Sequence, residues 1–281
     1  SSSSLLKDIT IKQVKDIGHY IKTLQAFEIE VQWDPPIVLP YVGPSESQNY
    51  YTVGYYKDKP IFGSIHHTYP KEKIAFIGGY YCVPEFRSQG LAFPFEIEKY
   101  RSVRKECPRV YWVAADQMSD KYLDKMGSKN YGRIMIMSFN SGPGKKPISS
   151  NVVDLRDKNY SYNLPTWQRE VLEYDLLNCG YDRSLHLKTF FSIEGVGIDA
   201  VGSYSPDNKI QGFAVMKKTE SGAYLIGPVI ADSNEISIDL ISSLQNKLQE
   251  GQTVKVLLAT VDELGNTENN LRVDIMKERF G

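Results

Sequence analysis

Between a strand-like run ending at Val83 and a helix-like run starting at Leu91, the chain reads Pro84-Glu85-Phe86-Arg87-Ser88-Gln89-Gly90. Where a strand passes into a helix through a glycine turn, the first backbone N–H groups have no intrahelical partner and point at whatever lies in front of them. The N–H groups of about Ser88 to Ala92 therefore converge with the positive end of the helix dipole, and Gly90 carries no side chain to hold a phosphate away. This pattern makes an anion site. A diphosphate is its natural ligand, although a glycine in a turn is also common for the turn alone, so the reading needs its context.

Other residue types nearby could move protons. Glu85 and Asp116 are carboxylates at strand ends and are candidates for a general base, the plain alternative being a surface charge or a helix cap. His66 and His67 are neighbours on a strand, face opposite ways and cannot both serve one site. Cys82 lies in an apolar strand with no histidine close in sequence, which predicts an inert thiol. There are 19 tyrosines, with doublets at Tyr50-Tyr51, Tyr55-Tyr56 and Tyr80-Tyr81, and strand alternation turns one of each pair inward, towards a core or an aromatic pocket. The three cysteines (Cys82, Cys107, Cys179) lack C-x-x-C spacing, so no metal site and no disulfide framework is expected, and a reducing compartment fits.

The elements that must position these residues follow from periodicity. Val14, Ile17, Ile21 and Leu24 predict an amphipathic helix over Ile11 to Phe27. The runs Tyr50 to Tyr56, Lys59 to His67 and Ile74 to Val83 read as an antiparallel meander, broken at Lys57-Asp58 and Pro70-Lys71. A helix over Leu91 to Lys105, a short strand over Val110 to Ala114, a helix over Met118 to Met126 and a strand over Arg133 to Met137 follow. The most loop-like stretch, Ser138 to Pro147, is the expected boundary: residues 1–140 form a first domain, 141–150 a linker and 151–281 a second. The second half repeats the order more loosely. Its helices are at Thr166 to Leu177, Ser184 to Phe191, Ile236 to Leu248 and Leu271 to Phe280, and its strands at Ala200 to Tyr204, Ile210 to Lys217, Ala223 to Ile230 and Val254 to Ala259.

Thirty-three Lys and Arg against 34 Asp and Glu leave a formal net charge of −1, so no global field draws the chain to nucleic acid. No apolar run reaches the roughly 18 residues of a membrane span. The opening Ser1 to Ser4 and Leu5-Leu6-Lys7-Asp8 lack a signal peptide's basic start and long apolar stretch, which predicts a cytoplasmic or nuclear protein.

The segment Val83-Pro84-Glu85-Phe86-Arg87-Ser88-Gln89-Gly90-Leu91-Ala92 resembles the acyl-CoA-binding motif of the GNAT acetyltransferase superfamily, Val-x-x-x-(Arg/Gln)-x-x-Gly-x-(Gly/Ala), with Arg87, Gly90 and Ala92 all matching. The order of elements over about residues 8 to 138 is similar to that fold. The resemblance implies an α/β (α+β) protein of two tandem GNAT-like domains, each a mixed, mostly antiparallel sheet flanked by helices. It implies acetyl-CoA as cofactor, the backbone of Tyr81, Cys82 and Val83 bonding pantetheine amides, and Arg87, Ser88, Gln89, Gly90, Leu91 and Ala92 holding the pyrophosphate. A second family feature, an Asn followed by a helix ending Tyr-x-x-x-Gly-Phe, is degraded: Asp116 replaces the Asn, Leu123 takes the Tyr position beside Tyr122, and Gly127-Ser128 replaces Gly-Phe.

The second half resembles the C-terminal domain of tandem GNAT proteins through Gly180-Tyr181-Asp182-Arg183 and Ile226-Gly227-Pro228-Val229-Ile230-Ala231-Asp232. Its turn, Ala231-Asp232-Ser233-Asn234-Glu235-Ile236, has neither the Arg/Gln nor the glycine, so the phosphate cradle is lost, and the fold's last strands are expected to be absent. The implied activity is direct attack of an amine on an acyl-CoA thioester. A strand N–H near Val83 would steady the oxyanion, and Asp116, Glu85 or Tyr122 would handle protons. The acceptor is expected to be a small molecule or an amino-acid-type amine. The alternative is a CoA-binding or ligand-sensing protein of the same fold with little or no turnover.

Overall fold

The computed structural model describes residues 8–14, 20, 23, 48–112, 116–127, 132–142, 149, 151–155, 164–184, 187, 197–219 and 221–261. The chain divides into two compact units, Ser1–Asp34 with Tyr41–Lys129, and Pro35–Pro40 with Asn130–Gly281. Each is built on one mixed sheet, as the α/β reading expects.

The first unit's sheet has the order β1 (Ile9–Val14), β2 (Gln48–Tyr56), β3 (Lys59–Tyr69), β4 (Ile74–Cys82), β5 (Arg109–Trp112). Lys57 and Asp58 both take positive φ (48° and 62°), the conformation that closes a two-residue hairpin in register with strand twist. Helix α1 (Phe93–Glu106) carries the chain from β4 to the parallel β5, and α2 (Asp116–Met126) follows. Phe62 stacks on Phe95 at 5.7 Å, and Val103 packs on Ala75 and Cys107, so α1 covers one face of the sheet.

One expectation fails at the start. Residues 9–14 are a strand, Ile9 opposite Tyr56 and Val14 opposite Tyr51, where the spacing predicted a helix from Ile11. The β-branched run Ile9-Thr10-Ile11 is stiff and extended by preference, and the free edge of β2 supplies a ladder for it. Tyr20 and Thr23, further along, are helical.

The second unit's sheet runs β6 (Gly132–Asn140), β11 (Thr253–Val261), β10 (Tyr224–Ala231), β9 (Ile210–Lys218), β8 (Gly197–Tyr204), β7 (Val152–Asp154). Only β10 and β11 are parallel. Alternation along β9 gives both faces a core. Ala214 and Met216 pack under helix α4 (Asn234–Gln245), and Phe213 and Val215 pack with Val171 and Tyr174 of helix α3 (Leu164–Cys179). Fully burying a side chain such as Phe213 stabilises by roughly 1.5–3 kcal/mol.

β6 belongs to this second sheet. It pairs with β11 over its whole length, from Gly132 opposite Val261 to Asn140 opposite Thr253. The units therefore divide between Lys129 and Asn130, ahead of the stretch 138–147 where composition placed the boundary, and Ser138, Phe139 and Asn140 are strand. The sheet position beyond β11 is filled by a strand that comes before the rest of the unit in sequence. The predicted helix over Leu271 to Phe280 lies outside the described residues.

Candidate functional site

The parallel pairing of β4 with β5 runs from Ile74–Arg109 to Ile77–Trp112, and no β4 residue past Ile77 is in register with a described β5 residue. On its other side β4 stays paired with β3 as far as Cys82 opposite Phe62, with an irregularity at Gly79-Tyr80, where Gly79 has φ +60°. A Cβ on Gly79 would come within 2.9 Å of Ile65, so glycine is required there for both reasons. The stretch 78–82 thus lies past the part of β4 that is in register with described β5 residues.

Val83 N–H donates to Ile61 O at 2.8 Å, and Val83 O accepts from Phe86 N–H at 3.0 Å. The oxyanion donor expected at Val83 is therefore already bonded. The same bond makes Cys82 and Phe62 a pair whose own backbone groups point away from each other, so Cys82 N–H is turned away from β3. Its carbonyl is taken by Arg87 Nε at 2.7 Å, and the Arg87 guanidinium lies 5.3 Å over the Tyr81 ring. Burial pushes the half-buried Cys82 thiol above its ordinary range, against the lowering effect of Arg87, which fits the inert reading.

Pro84–Phe86 form a single 3₁₀ turn, and the chain then reaches α1 through Ser88 and Gly90, both at positive φ (60° and 71°). Nothing lies within 4 Å of where a Gly90 Cβ would sit. Among the described residues the N–H groups of Ser88, Gln89, Gly90, Leu91 and Ala92 donate to no other atom, and Ala92 at the N-cap of α1 supplies no side-chain cap. Five open donors at the positive end of a 14-residue helix fit a diphosphate. The turn is braced by Gln89 Nε2, which donates to Glu85 O at 2.6 Å. Glu85 itself is exposed.

Tyr122 is buried, parallel to Phe93 at 6.1 Å and 4.8 Å from the Trp112 ring, and burial then the charge of Glu96 push its hydroxyl above the ordinary range. Asp116 opens α2, and its side chain lies outside the described part. His66 and His67 do face opposite ways. His66 is fully buried against Glu96, while His67 sits edge-on to Tyr69 at 4.5 Å.

A partner of His66 that the sequence reading did not single out, Glu96, lies on this buried face. His66 Nε2 is 3.4 Å from Glu96 Oε1 and 3.1 Å from Ser64 Oγ, with Glu96 4% exposed and His66 0%. His66 Nδ1 and Glu96 Oε1 complete no hydrogen bond among the described residues. Leaving a buried polar atom unsatisfied costs about 1–3 kcal/mol, so these two positions are where an added hydrogen-bond partner would stabilise most. Burial, and after it the charge of Glu96, also pushes the Tyr20 hydroxyl above its ordinary range, and that hydroxyl donates to Gly79 O at 2.8 Å. The signal was a Glu three residues from Phe93 and four from Tyr100, on the apolar stripe of α1.

In the second unit the corresponding turn is closed. Ser233 caps α4 with its own hydroxyl, and the Asp232 carboxylate accepts from the Tyr174 hydroxyl at 2.6 Å. The other residues that carried the likeness hold the fold. Gly180 ends α3 at φ +72°, and Arg183 turns back to the buried Asp175 carboxylate with two bonds of 2.7 and 2.6 Å.

Residues 171–278 match the family model for an acetyltransferase (GNAT) domain. Over nearly the whole chain the structure is similar to a tandem GNAT protein from the clavulanic acid biosynthesis pathway, at TM-score 0.59 and 10% identity, covering 95% of this chain and 94% of that one. The chain has the tandem GNAT fold. It is also similar to a putative acetyltransferase from Pyrococcus horikoshii (TM-score 0.57, 16% identity, covering 96% and 85%). Saccharomyces cerevisiae N-myristoyltransferase, solved with bound myristoyl-CoA, is a more distant likeness (TM-score 0.52, 9% identity, covering 99% and 76%). No curated protein matches. The GNAT family model falls on the unit whose turn is closed, while the open turn lies in the first unit. No helix among the described residues is long and apolar enough to cross a membrane.

Proposed function

We propose that the chain is an acyl-CoA-dependent N-acyltransferase that binds acetyl-CoA once, in its first unit, and passes the acyl group directly to an amine. The observation that carries this reading is the uncapped start of α1, with open space over Gly90 and five N–H groups without a described acceptor. A diphosphate on Ser88 to Ala92 would lead pantetheine along 78–82 of β4, past its described pairing with β5. Cys82 N–H is the donor best turned to steady a developing oxyanion there.

An alkylamine with a pKa near 10.4 must lose a proton before it attacks, which at pH 7 costs roughly 4.6 kcal/mol, so a group that accepts the proton is needed. The thiolate leaves with a reference pKa near 8.5 and needs help least. A small-molecule or amino-acid-type amine fits the near-zero net charge. The buried Tyr122 and Leu123 at the family tyrosine's place favour one other reading, a CoA-binding protein without turnover. Thiol release from acetyl-CoA over an amine panel, with calorimetry of CoA binding, separates the two. Release with at least one amine supports the transferase; tight binding with release under none supports the other.

A further inference from the structure

The near-zero net charge of the chain conceals a local concentration of positive charge. A groove of about 350 Å³, a size at which ligand pockets begin, lies between the later turns of α1 and the end of α2. Ile97 of α1 and the buried Met126 of α2 give it an apolar lining. Around them stand Arg101, Arg104 and Lys105 of α1 and Lys125 of α2, all exposed. Positions 101, 104 and 105 follow Ile97 at spacings of 4, 7 and 8, so one face of α1 brings the three cations together. No carboxylate is among the described residues that line the groove, and none of the four cations is in an ion pair among the described residues.

Cations in the last turn of a helix commonly offset the negative end of its dipole, and Arg104, Lys105 and Lys125 hold such places. Two helix ends amount to about one elementary charge together, so most of the positive charge is left uncompensated. Arg101 repels both Arg104 and Lys105, three and four residues on, and a bound anion relieves that repulsion. Arg104 is also held in place. Its Nη1 donates to the Tyr100 hydroxyl oxygen at 3.2 Å, its guanidinium lies 5.9 Å from the centre of that ring, and Tyr100 leans on Trp112 at 5.4 Å. The Tyr100 hydroxyl, itself on the groove, thus keeps its proton to donate. Every polar side chain of the lining is a donor, and each arginine fork matches two oxygens of one phosphate.

We infer that this groove is a second anion site, separate from the turn at Gly90, for a small ligand with two or more linked phosphates: a free polyphosphate or the phosphate tail of a nucleotide. Arg104 stands twelve residues past Ala92, which is about 18 Å along the axis of α1. The 3′-phosphate of CoA is only one ribose ring from its diphosphate, so a CoA seated on Ser88 to Ala92 leaves the groove open.

Calorimetry of the full chain with inorganic tripolyphosphate tests this, with saturating CoA present to fill the turn at Gly90. One tripolyphosphate per chain is expected, bound less tightly as salt is added. Arg101→Gln with Arg104→Gln is expected to weaken it at least about tenfold while the Kd for CoA stays within about twofold, and Lys105→Gln with Lys125→Gln to act in the same direction. Lys57→Gln with Lys59→Gln removes equal charge elsewhere and is expected to change neither affinity. In Gly90→Val, where the turn is obstructed, one tripolyphosphate still binds, so the groove is read even if the CoA reading fails. ATP separates the two sources: tighter binding than tripolyphosphate assigns the groove to a nucleotide, equal binding to a free polyphosphate, and both support the site. Binding of neither beside CoA overturns the inference, as does equal weakening by the arginine and the Lys57–Lys59 variants. Loss of CoA affinity in the arginine variant overturns it too, since the groove then belongs to CoA.

Discussion

The hydroxyl of Ser233 accepts the backbone N–H of Ile236 at 3.3 Å, so the start of α4 is closed by the chain's own side chain. At the same place on α1 stands Ala92, which has nothing to offer. One fold thus carries one filled and one open helix terminus, and the difference lies in a single side chain together with the glycine two residues earlier in the first unit.

CoA is therefore expected to bind once per chain. Calorimetry should give a stoichiometry of one, and Gly90→Val should weaken binding at least about tenfold. The added side chain projects into the space over the turn, and a β-branched residue at φ +71° carries roughly 1–2 kcal/mol of strain. Two sites in the wild type, or unchanged affinity in the variant, would contradict this.

Ser233→Ala removes the cap without touching the first unit. Loss of such a cap costs about 1 kcal/mol, so the second unit's melting temperature should fall by roughly 2–4 °C. CoA affinity should not move. A calorimetric scan beside a CoA titration checks both halves.

Lys217 gives the second unit a distinctive pH dependence. Burial, and then the positive charge of Arg183, bring it down to about 8 from 10.5. Between those values the unfolded chain binds a proton that the folded chain has released, so stability rises with pH. Tyr20, Tyr80, Tyr122 and Tyr174 work the other way, since burial holds each above its ordinary 10.0 and the folded chain keeps protons that the unfolded chain loses. Burial holds the thiols of Cys82, Cys107 and Cys179 above their ordinary 9.0 as well, and they too oppose Lys217. The contribution of Lys217 is therefore read as a difference: from pH 8 towards 10 the wild-type urea midpoint should gain on that of Lys217→Met, and equal pH profiles of the two would contradict it.

Hydrogen exchange tests where β6 belongs. Its amides should open together with those of Val254 and Val256 on β11, and should not follow the amides of β5. Exchange of residues 132–140 in step with the first unit would refute that pairing.

Much of this was legible in the sequence wherever contacts are local. The Tyr- and Ile-rich runs with Lys57-Asp58 between them marked the β2–β3–β4 meander, because alternation and turn chemistry are written within a few residues. The turn at Gly90 ahead of α1 could be read for the same reason. β1 was misjudged because the stripe through Val14 resembles a helix, and only a distant partner strand makes residues 9–14 extended. β6 could not be placed, since its partner is β11 at the far end of the unit. His66 was a candidate, but its pairing with Glu96 escaped because the two are 30 residues apart and meet only when α1 lies on β3.

The place of β6 has a consequence for how the molecule is born. A ribosome releases this apolar strand more than a hundred residues before it has made the one that β6 must pair with. At 5–20 residues per second the wait is of the order of ten seconds. Throughout that time a nine-residue edge, Gly132–Asn140, stands ready to recruit any other nascent chain. Crowded translation of this message thus endangers its product at one known segment, and slower growth or an attendant chaperone would shelter that segment first.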